Sequence, residues 1–460
     1  MDELIRKFRD FIEECGWFTT GDRLILACSG GVDSMGMTGL FQSVADPLDF
    51  TLVLAHVNHQ LRGTADRDEQ LVRDYAEEQG FQFHSKRVDV GRVMEETGES
   101  EEMVARRLRY QALEEIRSAE SARWICTGHT ANDQAETVLM RFLSGAGVSG
   151  LQGIRLRRGN ILRPVLNFSR VEMIEFTKSR GIPWVKDETN ADLTYQRNWI
   201  RHRLLPEVRD ELNPNITGTL NRNAQILREV QELLDTLAEN ALKHLCIEGS
   251  DDQILLDIRG YRKYLTAVQK AIIYKVLEEL NIPAETLTYS QTNQLHSLIC
   301  TGNSGASMKL HKGGQVWRDR TQVLFTRREY RTDFQQPFRL HSTALPGYTV
   351  HVEHRDHVAP EDFRNTNEWI AWFDSGSITS RSLVWRTWEY GDRMVLFNGS
   401  TKKVSDIWID TKTPVWEKQS RPLLAGEENV LWIPGTRRSG IGLVTKKSEQ
   451  VVKLEVERKL

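Results

Sequence analysis

Two rhythms of hydrophobic placement alternate along the first two hundred residues. Leu24–Ala27, Phe50–His56 and Trp124–Thr127 are short, mostly apolar runs, of the length of a strand buried on both faces. Between them apolar residues recur every three or four positions, as on one face of a helix. That spacing predicts an N-terminal amphipathic helix carrying Leu4, Ile5, Phe8, Phe11, Ile12 and Cys15. It predicts further helices over Asp33–Phe41, Asp66–Gly80 and Glu101 to about Glu120, with Phe81–Val88 as another strand. Strand alternating with helix predicts an α/β fold built on a parallel, doubly wound sheet. Ser169 and Glu172 form a capping-box pattern opening a helix that Gly181 is placed to close.

The rhythm then changes twice. From Asn213 to Leu280 helical spacing dominates, in long stretches such as Asn223–His244 and Tyr261–Leu280, without strand alternation; Val316–Phe325 is strand-like. Beyond Pro337 short β-type runs are separated by Gly, Pro and Asn turns, and Trp369, Trp372, Trp385, Trp388, Trp408, Trp416 and Trp432 are expected to supply most of that region's core. The predicted organisation is an α/β domain over 1–212, a mainly helical domain over 213–335 and a small mixed, β-rich domain over 336–460.

Composition adds limits rather than a function. A hydrophobic fraction of 39% and a charged fraction of 27% over 460 residues describe a globular chain of several cores. No apolar run reaches membrane-spanning length and the first helix is no signal peptide, so a cytoplasmic protein without membrane contact is expected. The five cysteines are scattered, odd in number and without a C-x-x-C, which suggests neither disulfides nor zinc. The net charge of −3 conceals an uneven distribution: residues 301–460 hold 25 Lys and Arg against 19 Asp and Glu, a weak pointer to a polyanionic partner.

Candidate chemistry concentrates where the first strand ends. Ser29-Gly30-Gly31-Val32-Asp33-Ser34 follows the apolar run directly and leads into a helix. Adjacent glycines let backbone N–H groups approach a ligand, and the helix N-terminus adds a positive dipole end, so the turn suits phosphate or pyrophosphate. It carries neither a Gly-Lys-Ser/Thr nor a G-x-G-x-x-G pattern, which excludes the Walker A loop and the dinucleotide fingerprint. In open α/β sheets ligands lie beyond the carboxyl ends of the strands, which brings Asn58, His59 and Arg62, after the second strand, toward the same nucleotide. Asp133 and Glu136, one helical turn apart, suit Mg²⁺ or a substrate ammonium. The basic run from Arg197 and Asn198 to Arg201, His202 and Arg203 suits leaving pyrophosphate or a nucleic-acid backbone.

The loop resembles the PP-loop of the ATP pyrophosphatases, enzymes that release pyrophosphate and leave AMP on a substrate oxygen. With Asn58–Arg62, Glu99-Ser100, Ala105–Tyr110, Gly128–Thr137 and Arg197–His202 in this order, the chain resembles the tRNA(Ile)-lysidine synthases; Gly391-Asp392-Arg393, Lys402-Lys403 and Arg421–Leu424 are similar to their C-terminal domain. The resemblance implies ligation of free L-lysine to C2 of the wobble cytidine of a minor isoleucine tRNA (CAU anticodon). The reaction runs through an adenylated base and uses ATP and Mg²⁺. It implies catalytic roles for Asp33, Arg106, Asp133, Glu136 and Arg201, and ATP binding by Ser29–Ser34, His56, Asn58, Gly128 and His129. It further implies lysine binding by Asp133 and Glu136, Mg²⁺ at Asp33 and Asp133, and tRNA contacts at Arg197, Asn198, Arg393, Lys402, Lys403 and Arg421. Thr130 and Asn132 stand where the family usually has His and Asp, and Gly36 and Gly39 interrupt a usually helix-favouring stretch. The alternatives are a PP-loop tRNA thiolase, which needs reactive cysteines, or another adenylating ligase; oligomeric state is open, a homodimer included.

Overall fold

The computed structural model describes residues 2–61, 63–185, 193–283, 287–310, 313–328, 333–356 and 367–458. Arg62, Lys312 and the loop Asp187–Asp192 lie outside the described residues. The chain divides into two compact units, Met1–Leu233 and Leu234–Leu460.

In the first unit β1 (Arg23–Ala27), β2 (Thr51–Asn58), β3 (Gln82–Arg87) and β4 (Trp124–Thr127) are parallel, and the sheet order is β3-β2-β1-β4 followed by the short β6 (Ile161–Leu162) and β5 (Arg157–Arg158). The chain steps outward from β1 to β3, then returns to β4 on the other side of β1. This reversal opens a crevice at the carboxyl ends of β1 and β4. The apolar runs are unbroken because both faces are covered. Leu24 and Leu26 join the core under α1 (Asp2–Cys15), α2 (Val32–Leu48) and α8 (Arg170–Arg180), whereas Ile25 packs with Leu113 and Ile116 of α5 (Glu101–Ala119) on the other face. Here α3 is Ala65–Gln79, α4 Val90–Thr97, α6 Ala131–Leu143 and α7 Val148–Leu151. The capping box at Ser169 is formed, with Ser169 Oγ accepting from the Glu172 amide, and Gly181 closes α8 at φ +64°.

The two glycines of α2 are explained by packing. A Cβ at Gly36 would lie 3.1 Å from Met173 Sδ, and one at Gly39 would lie 2.3 Å from Ile182 Cδ1 and 3.0 Å from Phe176 Cε1. The cost of glycine in a helix, about 1 kcal/mol, is accepted because α8 and Ile182 just beyond it lie so close to α2 that a Cβ on that face would push Met173, Phe176 or Ile182 aside.

In the second unit the helices expected after residue 213 are present as α11 (Ile216–Leu245, which begins in the first unit), α13 (Thr266–Glu279) and α14 (Tyr289–Thr301). An antiparallel sheet accompanies them, ordered β7 (Cys246–Ser250), β8 (Gln253–Asp257), β11 (Gln322–Thr326), β10 (Gln315–Asp319), β9 (Ser307–Lys309). The hairpin β7–β8 adds two strands to the largely helical stretch 213–280, where the sequence shows no strand alternation. Farther along, two antiparallel sheets of five and four strands enclose a core in which the Trp385 and Trp432 rings meet edge to face at 6.0 Å. Trp372, Trp385, Trp408, Trp416 and Trp432 are buried, as core residues should be.

Gly39→Ala is expected to lower the melting temperature despite the better helix propensity of alanine, because overpacking costs about 1–3 kcal/mol. Thermal unfolding followed by circular dichroism checks this, and an unchanged or raised midpoint would show that α8 yields freely.

Candidate active site

Gly30, at φ +85°, turns the chain out of β1; its carbonyl accepts the Val185 amide at 2.9 Å, which ties the loop to the strand-like residue after α8. Ser34 Oγ closes the loop from inside, donating to Gly31 O (2.9 Å) and accepting from the Ser29 amide (3.2 Å). Val32 is buried below. The first turn of α2, whose amides a helix leaves unpaired, thus faces the crevice. Gly128 flanks it from β4: a Cβ there would come within 2.8 Å of Ser34 Cα, so only glycine lets the end of β4 approach the first turn of α2 this closely.

Opposite the loop lies a nearly closed ion network. Arg197 donates from Nε to Glu136 Oε2 (2.8 Å) and from Nη2 to Asp133 Oδ1 (2.9 Å). Arg201 donates from Nε to Glu136 Oε1 (2.5 Å) and from Nη2 to Asp133 Oδ1 (3.1 Å) and Glu136 Oε2 (2.8 Å). Asp133 Oδ2 accepts from the Thr130 amide and hydroxyl, the capping box of α6. The Glu136 side chain is 2% exposed. Burial works to raise the pKa of Asp133, but Arg197, the Thr130 amide and Arg201 outweigh it and hold it below the ordinary carboxylate range. Arg201 sits on a π-helical turn, Ile200–Leu204, that follows the short helix α9, Gln196–Trp199.

Asp33 is the third carboxylate here. Oδ2 accepts from Arg170 Nη1 at 2.9 Å, whereas Oδ1 is buried without a hydrogen-bond partner. Burial above all, with Asp133 and Glu136 adding to it, lifts its pKa to about 6 against the opposing pull of Arg170 and Arg201.

The other expected residues are placed differently. His56 is buried and held neutral by burial, with Nδ1 at 2.9 Å from Cys28 O. Asn58 donates to Asp66 and Glu69 (both 3.0 Å) and accepts from the Gln60 amide, so its side chain serves the turn after β2. His129 is kept uncharged by burial, reinforced by Arg163 and Arg109. Arg106 is exposed, its guanidinium over the Tyr110 ring at 5.3 Å; Arg109, over the same ring at 5.2 Å, is near enough to His129 to help keep it uncharged. Arg197, expected at the tRNA, belongs to the carboxylate network, with the half-buried Asn198 next to it. Arg170 and Arg109 are the residues sequence reasoning missed.

In the second unit Arg393 and Lys403 face one another across an exposed two-stranded hairpin. Lys402 is ion-paired with Asp410. Arg421 corrects the expectation of a surface contact: it is 8% exposed, donating to Pro434 O, Gly435 O, Thr436 Oγ1 and Glu417.

Among the described residues no group of three His, Cys, Asp or Glu side chains could hold a metal. One carboxylate with a free oxygen fits Mg²⁺, which keeps several waters and binds through one or two carboxylates plus substrate phosphates. Asp33 Oδ1 meets that description; Asp133 does not, since both of its oxygens are taken.

A parallel sheet with an anion-binding turn after β1, an orphaned aspartate oxygen inside it and a second charged cluster after β4 defines a PP-loop nucleotide-binding enzyme, and residues 1–208 match the family model of that PP-loop domain. Residues 383–455 match the TilS substrate C-terminal domain. The chain is 30% identical over 464 residues to the tRNA(Ile)-lysidine synthase of Geobacter sulfurreducens, covering 99% of this chain and 98% of that one. It is 30% identical over 472 residues to that of Clostridium perfringens, covering 99% of each. A crystal structure of a TilS C-terminal domain is similar at 25% identity and a TM-score of 0.25, covering 28% of this chain and 98% of that one. The chain belongs to the tRNA(Ile)-lysidine synthase family, ligases of tRNA modification.

In the metal-free protein the Asp33 carboxyl carbon should titrate near pH 6 in a ¹³C NMR experiment. Because Arg170 lowers this pKa, Arg170→Gln should move the midpoint upward. A midpoint near that of a free aspartate would contradict the burial of the group.

Proposed function

We propose that this enzyme ligates free L-lysine to C2 of the wobble cytidine of a minor isoleucine tRNA with a CAU anticodon, at the cost of one ATP. The cytidine C2 oxygen attacks the α-phosphorus and pyrophosphate leaves; the ε-amine of lysine then attacks C2, and AMP leaves with the oxygen. The observation that carries the reading is the carboxylate pair on the first turn of α6, Glu136 buried and Asp133 held below the ordinary carboxylate range, across the crevice from a PP-loop. Such a pair suits an ammonium, and the loop suits the phosphates.

The residues divide the work by charge. The amides of the Ser29–Ser34 loop and the first turn of α2 would hold pyrophosphate. Asp33 would hold Mg²⁺, which when bound supplies charge neutralisation on the phosphates. Asp133 and Glu136 balance Arg197 and Arg201 one for one, so a lysine ammonium enters by taking the place of a guanidinium. Phosphate oxygens give the displaced arginine a new partner, where it stabilises charge as the leaving group departs. The amine attacks only after losing a proton. Asp133 and Glu136 would orient it, and Asp133, held below the ordinary carboxylate range, is a weak base. We assign 1–212 to catalysis, 213–335 and 336–460 to tRNA contact.

A sulfur-transferring tRNA enzyme is the competing reading, and the cysteines speak against it. Burial pushes the Cys28 thiol up to about 12 and that of Cys15 to about 11, and raises Cys126, Cys246 and Cys300 too. None carries the lowered pKa of an activated thiolate.

Pyrophosphate and AMP release from ATP should require both a CAU-anticodon isoleucine tRNA transcript and lysine. Asp33→Ala should lower turnover at least ~100-fold with tRNA binding intact. Lysine-independent transfer of sulfur to the tRNA would overturn the assignment.

Arg393→Glu combined with Lys403→Glu should weaken tRNA binding and shrink the salt dependence by about one to two phosphate contacts. Filter binding across a salt series reads both, and an unchanged slope would place the tRNA elsewhere.

A further inference from the structure

The N-termini of α2, α6 and α8 meet at the open end of the sheet, and Arg170 touches the other two helices. Its amide, on the first residue of α8, donates to Asn132 Oδ1 of α6 at 2.9 Å; its guanidinium donates to Asp33 Oδ2 of α2 at 2.9 Å. The amide of a first helical residue has no partner inside its helix. Asn132 therefore fills a position that the Ser169–Glu172 capping box leaves open, since that box uses only the Ser169 and Glu172 amides. A second bond, from the Ala131 amide to Phe168 O at 2.9 Å, fixes the same two segments at backbone level. The glycine-permitted contact of α8 with α2 holds the third side.

We infer that Arg170 is a positioning residue for Asp33 and that Asn132 anchors it, so that one strut joins the carboxylate helix to the PP-loop. With Oδ2 held by Arg170, rotation of the Asp33 carboxylate is restricted and Oδ1 is the oxygen left without a partner. Asparagine at 132 accepts the amide without adding a further negative charge beside Asp33, Asp133 and Glu136, which an aspartate there would do. This gives a physical reason for the residue that departs from the usual family pattern.

The inference rests on the ATP-dependent reading above. Its test compares Arg170→Gln, Arg170→Lys, Asn132→Ala and the Arg170→Gln/Asn132→Ala double variant in the full-length enzyme, with tRNA transcript, lysine and ATP. Misplacement of a reacting group by about 1 Å can cost up to ~100-fold, so Arg170→Gln should lower kcat ~10-fold or more while KM for ATP and ATP affinity by calorimetry stay within about twofold. Arg170→Lys should restore part of the loss. Asn132→Ala should lower kcat a few-fold, and adding it to Arg170→Gln should change nothing more, as two links of one strut require. Parent-like kcat in Arg170→Gln, or additive losses that track a falling melting temperature in all variants, would overturn the strut. Failure of the parent enzyme to release pyrophosphate would instead overturn the reaction itself.

Discussion

Two carboxylates, Asp133 and Glu136, are paired with two guanidiniums beyond the carboxyl end of β4, and the first unit is arranged around the need to compensate them. An ionised carboxylate out of water costs several kcal/mol unless its partner geometry is good, and the Glu136 side chain is almost wholly enclosed. Both compensating guanidiniums come from one short segment, Gln196–Leu204, about sixty residues downstream. The π-helical turn matters here. Such turns recur at functional sites, and this one carries Arg201, which reaches the same two carboxylates as Arg197. Loss of either arginine without another cation in its place would leave an unbalanced buried charge, which ties the segment to α6.

That compensation also sets Asp33 apart. The carboxylates after β4 have guanidiniums on nearly every oxygen, whereas Asp33 has one guanidinium and one empty oxygen. Burial and two neighbouring carboxylates make its ionised form costly, which is the state a divalent cation relieves most. Glycines make this closeness possible: Gly128 lets β4 touch the start of α2, and Gly36 and Gly39 let α8 bring Arg170 within reach. The residues that look weakest as helix formers are those that allow the charged groups to meet.

Chemistry carried by a contiguous stretch was legible in the sequence. The buried strands, the Ser29–Ser34 turn, the Ser169 capping box and the pairing of Asp133 with Glu136 on one face follow from local rules. Arg170 was not legible, because its partner lies 137 residues away. Arg106 and Arg109, three residues apart on α5, lie within one turn of each other over the same Tyr110 ring, and local spacing does not say which of them lies near His129. The hairpin at 246–257 was hidden for a different reason. Its outer strand is exposed throughout, and its inner strand buries Ile254 and Leu256 on one side while Leu255 packs with Trp317, Leu324 and Trp416 on the other, so no alternation shows.

The C-terminal charge excess shows why counting cations is a poor guide to a polyanion site. Arg421 lies between the Trp369 and Trp408 rings and ties the 434–436 turn; Arg438 packs on Phe373 at 4.5 Å, its pKa lowered by burial to about 10; Arg386 is spent on Asp392. These guanidiniums build the fold, using long stems and planar heads where a lysine would not fit. Arg393 and Lys403 stand directly opposite one another on an exposed hairpin, where like charges repel; under the proposed function a phosphate that neutralises both would account for the pair. Placement, rather than the surplus of basic residues, is therefore what the proposed tRNA contact rests on.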